Sequence, residues 1–114
     1  MNRDDIILRK ILAYCEQIEQ THEYFRDDKV LFLSDEDGFV YRNSVAMPIL
    51  QIGELAKRLS DTYLSAHKAI PWRAVMGMRD IFAHHYGSVD QLELWNTSHD
   101  DIQALKVYIQ NGIG

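Results

Sequence analysis

Residues 41–59 read Tyr-Arg-Asn-Ser-Val-Ala-Met-Pro-Ile-Leu-Gln-Ile-Gly-Glu-Leu-Ala-Lys-Arg-Leu, and the spacing of their apolar side chains indicates a helix. The residues that recur every three or four positions are Val45, Ile49, Ile52, Ala56 and Leu59. This period places them on one helix face, whereas a strand would alternate every second residue. Pro48 lies inside the segment and is expected to bend the helix, because proline lacks a backbone donor and clashes with the preceding turn.

Three further segments show the same helical period. The first helix is predicted from the spacing of Ile7, Ile11, Tyr14, Ile18 and Phe25. Pro71 suits the first turn of a third helix, which runs towards Phe82 and stops before Gly87. A last helix follows Thr97 or Ser98, which we interpret as its N-cap because two acidic residues come next and suit the helix dipole.

These helices predict the fold class. Main helices joined by short connections imply an all-α protein, an antiparallel bundle of four to five helices. The one strand-like run is Val30-Leu31-Phe32-Leu33, which has no second strand to pair with. At 114 residues the chain has the length of a single domain, which we place at residues 1–114.

The composition narrows the functional class. The single cysteine, Cys15, excludes an internal disulfide framework and a cysteine-based zinc site, and it fits a reducing compartment. We interpret Cys15 as a small core or boundary residue. No apolar run reaches the ~18 residues that a membrane span needs, and the amino terminus does not resemble a signal peptide. We therefore expect a soluble, cytoplasmic protein that does not bind a membrane and needs no cofactor.

Charge is distributed unevenly along the chain. The formal net charge of −5 argues against nucleic-acid binding by whole-surface charge. Residues 1–40 carry five basic and ten acidic side chains, residues 41–86 carry six and three, and residues 87–114 carry one and four. The middle segment is thus net +3 and could attract a polyanion in one place, and chance variation is the alternative explanation.

Residues 79–90 concentrate side chains that can do chemistry. They read Arg-Asp-Ile-Phe-Ala-His-His-Tyr-Gly-Ser-Val-Asp. In this composition an arginine followed closely by a histidine is expected about once by chance, but a tyrosine two residues after the histidine lowers the chance to roughly a few per cent. The structural alternative is a pair of imidazoles at a helix C-terminus, stabilised by the helix dipole.

Helix geometry restricts how these residues can act together. Positions 79 and 84 of a straight α-helix differ by about 140° in azimuth, so the helix must end or distort near His84, or a second subunit must complete the site. The adjacent His84 and His85 point apart and have no carboxylate at ligand spacing, so we expect no metal site. The remaining histidines are isolated in the sequence and expected to be solvated, namely His22, His67 and His99.

An arginine and a histidine can together cleave RNA without a metal ion. RNA carries its own nucleophile, the 2′-hydroxyl beside the scissile phosphate. Histidine can transfer the protons near neutral pH, and the guanidinium of arginine can stabilise the charge that develops on phosphorus. Two copies of one Arg-His pair, related by a two-fold axis, would supply both the acid and the base.

The segment Arg79-x-x-x-x-His84-x-Tyr86 resembles the signature of HepT-like toxins, a branch of the HEPN superfamily of ribonucleases. The resemblance covers essentially the whole chain. Further segments that resemble the family are Tyr41-Arg42-Asn43, Ile52-Gly53-Glu54-Leu55-Ala56-Lys57, Ile70-Pro71-Trp72-Arg73, Gly77-Met78-Arg79-Asp80, Val89-Asp90 and Leu94-Trp95-Asn96-Thr97.

The resemblance implies a homodimeric, HEPN-like bundle whose Arg-His pairs meet in a cleft between the subunits. It implies a metal-independent endoribonuclease that stops cell growth, the toxin of a type VII-like toxin-antitoxin system. The implied partner is a nucleotidyltransferase antitoxin of the MntA kind, which transfers AMP from ATP onto the motif tyrosine. Carried over, Arg79 stabilises phosphate, His84 transfers protons, and Tyr86 accepts AMP, which blocks the RNA site by its bulk and charge.

Three residues are secondary candidates for the same site. Asp80 stands where many HEPN proteins carry asparagine, and it would orient Arg79 or His84 by hydrogen bonding. His85 could substitute for His84, and Arg73 belongs to the basic middle segment.

Two other functions stay open on the sequence. The chain could be a non-catalytic helical dimer that binds nucleotide or a partner protein, since a fold does not fix a function. The intact triplet of Arg79, His84 and Tyr86 favours the ribonuclease, because a purely structural relative has no need of all three. The toxin could also be silenced mainly by tight complex formation with its antitoxin, with AMP transfer playing a minor part.

Overall fold

The chain folds into helices. A computed structural model describes the backbone of residues 2–85 and 90–113, and the side chains in these ranges except at 79–85 and 113. Every regular element in the described ranges is helical, which confirms the all-α prediction. The elements are α1 (Arg3–Tyr24), α2 (Lys29–Phe32), α3 (Phe39–Ala56), α4 (Asp61–Ala66), α5 (Trp72–His85), α6 (Gln91–Asn96), a π segment (Thr97–Asp101) and α7 (Ile102–Ile113). None of the helices in these ranges is long and apolar enough to cross a membrane.

Helix α3 is the centre of the core. It packs against both α1 and α5, while α7 packs against α1. The stripe predicted on α3 is buried as expected, because Val45, Ile49, Ile52 and Ala56 have no exposed surface and Leu59 is 5% exposed. The helix also continues through Pro48 without interruption.

Helix α1 presents its predicted face to the same core. Ile7, Ile11 and Ile18 are buried, and Tyr14 and Phe25 are partly buried against the core. Asn2 begins the helix, because its side chain accepts the Asp5 N–H at 2.9 Å and satisfies one of the free donors of the first turn. The spacing of five apolar residues therefore predicted the buried side of this helix correctly.

Helices α1 and α3 run in opposite directions. The Ser60 N–H, after the end of α3, donates to Asp4 Oδ1 in the first turn of α1 at 2.9 Å, whereas Tyr41 at the start of α3 lies beside His22 near the end of α1. Gln91 donates from Nε2 to Asp35 Oδ1 at 3.1 Å, so the start of α6 lies beside the loop that leads into α3. The pair of α1 and α3 is therefore antiparallel, as the predicted bundle requires.

The strand-like run at residues 30–33 is helical. Residues Lys29–Phe32 form the single turn α2, and Asp28 caps it by accepting the Leu31 N–H at 3.0 Å. Phe32 has no exposed surface, whereas Val30 is 83% exposed. The run is apolar because Phe32 lies in the core and Leu31 and Leu33 pack against it, and not because it pairs with a strand.

The predicted N-cap at Thr97 or Ser98 is also wrong. The last helical region begins earlier, at Gln91, and its cap is Asp90, whose Oδ1 accepts the N–H groups of Leu92 at 2.8 Å and Glu93 at 3.1 Å. The chain does not leave the helical path at Thr97, and passes through the π segment directly into α7. An extra residue in the turn, and not a break, explains the change in the apolar pattern there.

Arg42 closes the junction between α2 and α3. Its guanidinium is buried, and Nη1 donates to the carbonyl oxygens of Phe32 at 2.6 Å and Ser34 at 2.7 Å. Gly38 permits this approach, since a Cβ at that position would lie 2.4 Å from the Leu31 carbonyl oxygen and 2.6 Å from that of Phe32. Two backbone oxygens cannot move away as a flexible side chain could.

Gly38→Ala is expected to destabilise the protein by about 1–3 kcal/mol through overpacking at this junction. The matched control is Gly77→Ala, because a Cβ at Gly77 meets no described atom within 4 Å. Alanine in place of a helical glycine, where its Cβ has free space, should raise the free energy of unfolding by about 0.5–1 kcal/mol. Urea unfolding of the two variants checks both signs, and equal effects would contradict the close approach at Gly38.

Candidate functional site

Helix α5 carries most of the predicted site residues, and packing fixes its N-terminal half. Trp72 is 6% exposed and donates from Nε1 to the His67 carbonyl oxygen at 2.8 Å. Val75, 7% exposed, lies on the same buried face. Pro71 directly precedes the helix, within one residue of its predicted place, and its carbonyl oxygen accepts the Val75 N–H at 3.1 Å.

The helical register separates Arg79 from His84. Position 79 follows Trp72 by seven residues and Val75 by four, so it falls within about 20–40° of the buried positions. Position 84 follows the exposed Arg73 by eleven residues, and these two positions coincide to within about 20°. Because α5 is a continuous α-helix to His85, positions 79 and 84 lie about 140° apart around its axis.

A stripe of positions on α5 leads from its N-terminal end to His84. It consists of Arg73, Gly77, Asp80 and His84, which follow one another at spacings of four, three and four residues. The open space around Gly77 leaves the middle of this stripe uncovered by the described residues. Positions 80 and 84 are one turn apart, a spacing at which side chains on a helix can interact.

The structure describes the backbone of every predicted site residue except Tyr86. The backbones of Arg79, Asp80, His84 and His85 are helical, and α5 reaches one residue past His84, close to its predicted end. Tyr86 lies outside the described residues. His84 and His85 occupy the last turn of α5. Among the described residues, no group of three or more metal-binding side chains is arranged around one point.

A second polar cluster, which the sequence analysis missed, is buried beside the π segment. His22 is 5% exposed, so the prediction that it is solvated is wrong. Its Nδ1 lies 2.5 Å from the Tyr41 hydroxyl, and its Nε2 lies 3.0 Å from Ser98 Oγ. Ser98 Oγ also donates to the Trp95 carbonyl oxygen at 3.2 Å. We refer to His22, Tyr41, Ser98 and Trp95 as the His22 cluster.

The spacing of α1 contains a signal for this cluster. His22 follows Ile11, Cys15 and Ile18 at intervals of four, three and four residues, so it continues their buried face. A histidine at such a position needs internal hydrogen-bond partners, because a buried polar group left unpaired is costly. His67 is also not simply solvated, since it is partly buried and its Nδ1 lies 2.9 Å from the Tyr108 hydroxyl.

His99 lies on the outer side of the His22 cluster. Its ring stacks on Trp95 with centroids 4.9 Å apart and meets the His22 ring edge-on at 5.2 Å. Its two nitrogens lie 3.3 Å from an Asp27 oxygen and 2.9 Å from an Asp100 oxygen. A cavity of about 270 Å³ is lined by His22, His99 and Asp27, so water can approach the cluster from this side.

Burial determines the protonation of this region. It lowers the pKa of His22 below the ordinary value, and the neighbouring His99 lowers that pKa further, while Asp27 and Asp100 oppose the change. Burial also raises the pKa of the Tyr41 phenol. The Cys15 thiol, 1% exposed, has its pKa raised to about 12 by burial, so it stays protonated and structural, as the sequence indicated.

Comparison with known proteins identifies the family. The family described as ribonuclease HepT-like matches residues 11–111, and the chain belongs to this family. A relative named "Probable ribonuclease HepT", from Thermococcus cleftensis, is 42% identical over 55 residues, which cover 48% of this chain and 50% of the relative. Another, named "Putative RNase TTE0752", from Caldanaerobacter subterraneus subsp. tengcongensis, is 30% identical over 100 residues, 85% of this chain and 88% of the relative. No solved structure matches the chain significantly.

The family assignment confirms the resemblance drawn from the segment that begins at Arg79. The match at residues 11–111 includes helices α3 and α5, the π segment, about two thirds of α1 and most of α7. Homodimer formation, AMP transfer and the roles of Arg79, His84 and Tyr86 stay predictions.

Proposed function

We propose that the chain is a toxin that cleaves RNA, in a site that two copies of the chain build together from Arg79 and His84. The observation that carries the proposal is the register of α5, which holds positions 79 and 84 about 140° apart on a helix that is continuous to His85. One chain therefore does not offer both groups to one phosphate from a single helix face. Membership in a ribonuclease family supports RNA as the substrate.

A two-fold axis resolves the problem of the separated positions. If two α5 helices meet at their C-terminal ends, each brings its own position 79 and position 84 to a shared cleft. Arg73 and Gly77 lie in the stripe that leads to His84, and the described residues leave its middle uncovered, so the incoming strand could follow this face of the helix. Arg73 and Arg79 place positive charge on α5 itself, which would attract the phosphates of RNA to this helix.

The reaction needs only the groups of the chain and the RNA. His84 of one copy takes the proton of the 2′-hydroxyl, and the 2′-oxygen forms a bond to the adjacent phosphorus. The bond from phosphorus to the 5′-oxygen breaks, and His84 of the other copy gives its proton to that oxygen. The two Arg79 guanidinium groups stabilise the additional negative charge on the phosphoryl oxygens. The products are a 2′,3′-cyclic phosphate and a 5′-hydroxyl, and cleavage is expected to persist in a metal chelator.

Asp80 and His85 are assigned supporting roles in the same proposal. Asp80 stands one turn before His84 in the uncovered stripe, and its carboxylate orients the imidazole or the neighbouring Arg79 guanidinium. His85 stands next to His84 in the last turn of α5, and in this proposal it can replace His84 in proton transfer, but less effectively. Arg73, three turns before His84 on the same stripe, contacts the phosphate backbone of the RNA away from the scissile bond.

The proposed control of the toxin is modification of Tyr86. A nucleotidyltransferase antitoxin of the MntA kind transfers AMP from ATP onto its hydroxyl, with loss of pyrophosphate. Tyr86 follows Arg79 by seven residues and His84 by two, so AMP on this side chain would bring a bulky anion to the place where RNA phosphate binds. Steric exclusion and repulsion of like charges would both oppose RNA binding.

Mixed dimers test whether two copies share one site. When wild-type chains are randomly combined with His84→Ala chains, cleavage should fall with the square of the wild-type fraction, so that about one quarter remains in an equal mixture of a two-fold dimer. Independent sites would leave about one half, in proportion to the wild-type chains. A parallel mixture with His99→Gln chains controls for the refolding procedure, and a linear fall with His84→Ala would overturn the shared site.

Intact mass tests the proposed modification. The chain purified with its antitoxin and ATP should gain whole AMP units, and fragmentation should place them on Tyr86. Tyr86→Phe should gain none, because phenylalanine lacks the acceptor oxygen, whereas Tyr108→Phe should be modified like the wild type. A silent complex whose toxin chain carries no AMP would favour inhibition by binding alone.

A further inference from the structure

The hydrogen bonds of the His22 cluster run in one direction. A carbonyl oxygen only accepts, so Ser98 donates its proton to the Trp95 carbonyl at 3.2 Å. The Ser98 oxygen therefore accepts from His22 Nε2–H at 3.0 Å, which makes Nδ1 the acceptor in a neutral ring. The Tyr41 hydroxyl then donates to Nδ1 at 2.5 Å. Protons are thus donated from Tyr41 to His22, from His22 to Ser98 and from Ser98 to the Trp95 carbonyl. Every donor and acceptor in this chain of hydrogen bonds has a partner only while His22 is neutral.

Protonation of His22 would break this order. A second ring proton on Nδ1 would face the Tyr41 hydroxyl, which would have to accept and turn its own proton elsewhere. Among the described residues the structure gives that hydroxyl no second hydrogen-bond partner. The positive charge would also lie 95% buried, between the rings of Phe32, Tyr41 and Trp95.

The cluster joins the centre of the fold to the chain that leads back to the site. His22 lies near the end of α1, Tyr41 lies in the first turn of α3, and Ser98 lies in the π segment. Through Ser98 and Trp95 the cluster fixes α6, whose first residue follows the cap Asp90. Asp90 lies only six residues after His84 in the sequence, so the placement of α6 constrains the chain on the C-terminal side of that histidine.

We propose that His22 is a positioning residue for the RNA-cleaving site, holding the π segment and α6 in their active placement while neutral and releasing them on protonation. This inference rests on the proposed function. The irregular turn at Thr97–Asp101 is the element that changes, because a π segment can return to a regular helix by a shift of one residue. Cleavage would then weaken in acid through α6 as well as through His84 itself.

The charged groups around His22 determine whether it takes up a proton near neutral pH. Asp27 from the turn after α1 and Asp100 from the π segment favour a proton on His22, whereas His99 disfavours one. Glu19 and Glu23 of α1 also line the cavity through which water reaches the ring. Burial outweighs the carboxylates, so His22 is neutral at neutral pH and accepts a proton only below about pH 6.5, the ordinary histidine value.

The test follows the indole N–H of Trp95 by NMR as the pH is lowered, with Trp72 as the internal reference. We expect the Trp95 signal to move below about pH 6.5 and the RNA-cleavage rate to fall in the same range. In His22→Gln, whose amide can accept from Tyr41 and donate to Ser98 without titrating, the Trp95 movement should vanish and cleavage should extend further into acid. His99→Gln should keep both pH responses but move them to higher pH, because a group that disfavours a proton on His22 is removed.

The outcomes separate this inference from the proposed function. A Trp95 titration that is unchanged in His22→Gln, or that follows His99 instead, would overturn the role of His22. If His22→Gln does not fold, Ser98→Ala serves as the second variant, and it should move the Trp95 signal at neutral pH and lower cleavage several-fold. An unmoved signal in Ser98→Ala would equally refute the inference. Absence of RNA cleavage by the wild type would instead refute the ribonuclease, while the Trp95 titration would still report on the cluster.

Discussion

Replacing His84 by alanine is expected to reduce RNA cleavage by a factor of about 10²–10⁴, the usual contribution of a general acid or base. In the proposed dimer the loss affects both proton transfers, because each copy supplies one of the two imidazoles. Expression of the variant alone should no longer arrest growth. The rate is best measured on a short RNA with one labelled end, which also identifies the cyclic phosphate and the 5′-hydroxyl.

Two controls define what the His84→Ala result means. The variant should keep its helical circular dichroism and the oligomeric state of the wild type, since position 84 shares its face of α5 with the exposed Arg73 and not with the buried Trp72. His85→Ala should lose less activity, because that position is rotated by about 100° from position 84. A fully toxic His84→Ala chain would show that the proposed chemistry is wrong.

Phe32→Ala is expected to lower the free energy of unfolding by about 3–5 kcal/mol, the cost of deleting a large core ring. Phe32 has no exposed surface, and its ring lies 4.9 Å from Tyr41 and 5.2 Å from Trp95 between centroids. A cavity there would also loosen the His22 cluster. A loss of this size is a large part of the free energy of unfolding of an ordinary domain, which is about 5–15 kcal/mol.

Val30→Ala is the matched control for Phe32→Ala. Both residues belong to the single turn α2, but Val30 is 83% exposed, so its truncation should change stability by less than about 0.5 kcal/mol. Urea unfolding measures the two variants under the same conditions. Similar effects of the two changes would mean that residues 29–32 do not pack as one helical turn against the core.

The sequence predicted the long helices well because their buried faces repeat. Every residue of the stripe on α3 from Val45 to Ala56 is buried, as is Leu59, which lies three residues past the end of that helix, and α5 begins next to Pro71 as expected. The short elements were missed for a physical reason. Helix α2 has one turn, too few residues for a period to show, and its stability comes from the Asp28 cap, the buried Phe32 and the guanidinium of Arg42.

The candidate site was predictable in part. The motif from Arg79 to Tyr86 identified the family, and the azimuth of positions 79 and 84 follows from the helix period alone. The His22 cluster was not predicted, because its members are separated by up to 76 positions between His22 and Ser98 and meet only through the tertiary fold. The π segment also escaped prediction, since one extra residue shifts the apolar pattern and imitates the start of a new helix.

Cys15 gives the protein an internal reporter of its own opening. The thiol is 1% exposed and its pKa is raised to about 12, so a thiol reagent reacts with it slowly while α1 is packed against the core. Opening of the bundle exposes the thiol, so the rate of labelling rises with the fraction of open molecules. Any ligand that binds the folded form alone slows this labelling in proportion to its affinity, so the single cysteine can rank candidate RNAs and antitoxins without an added probe.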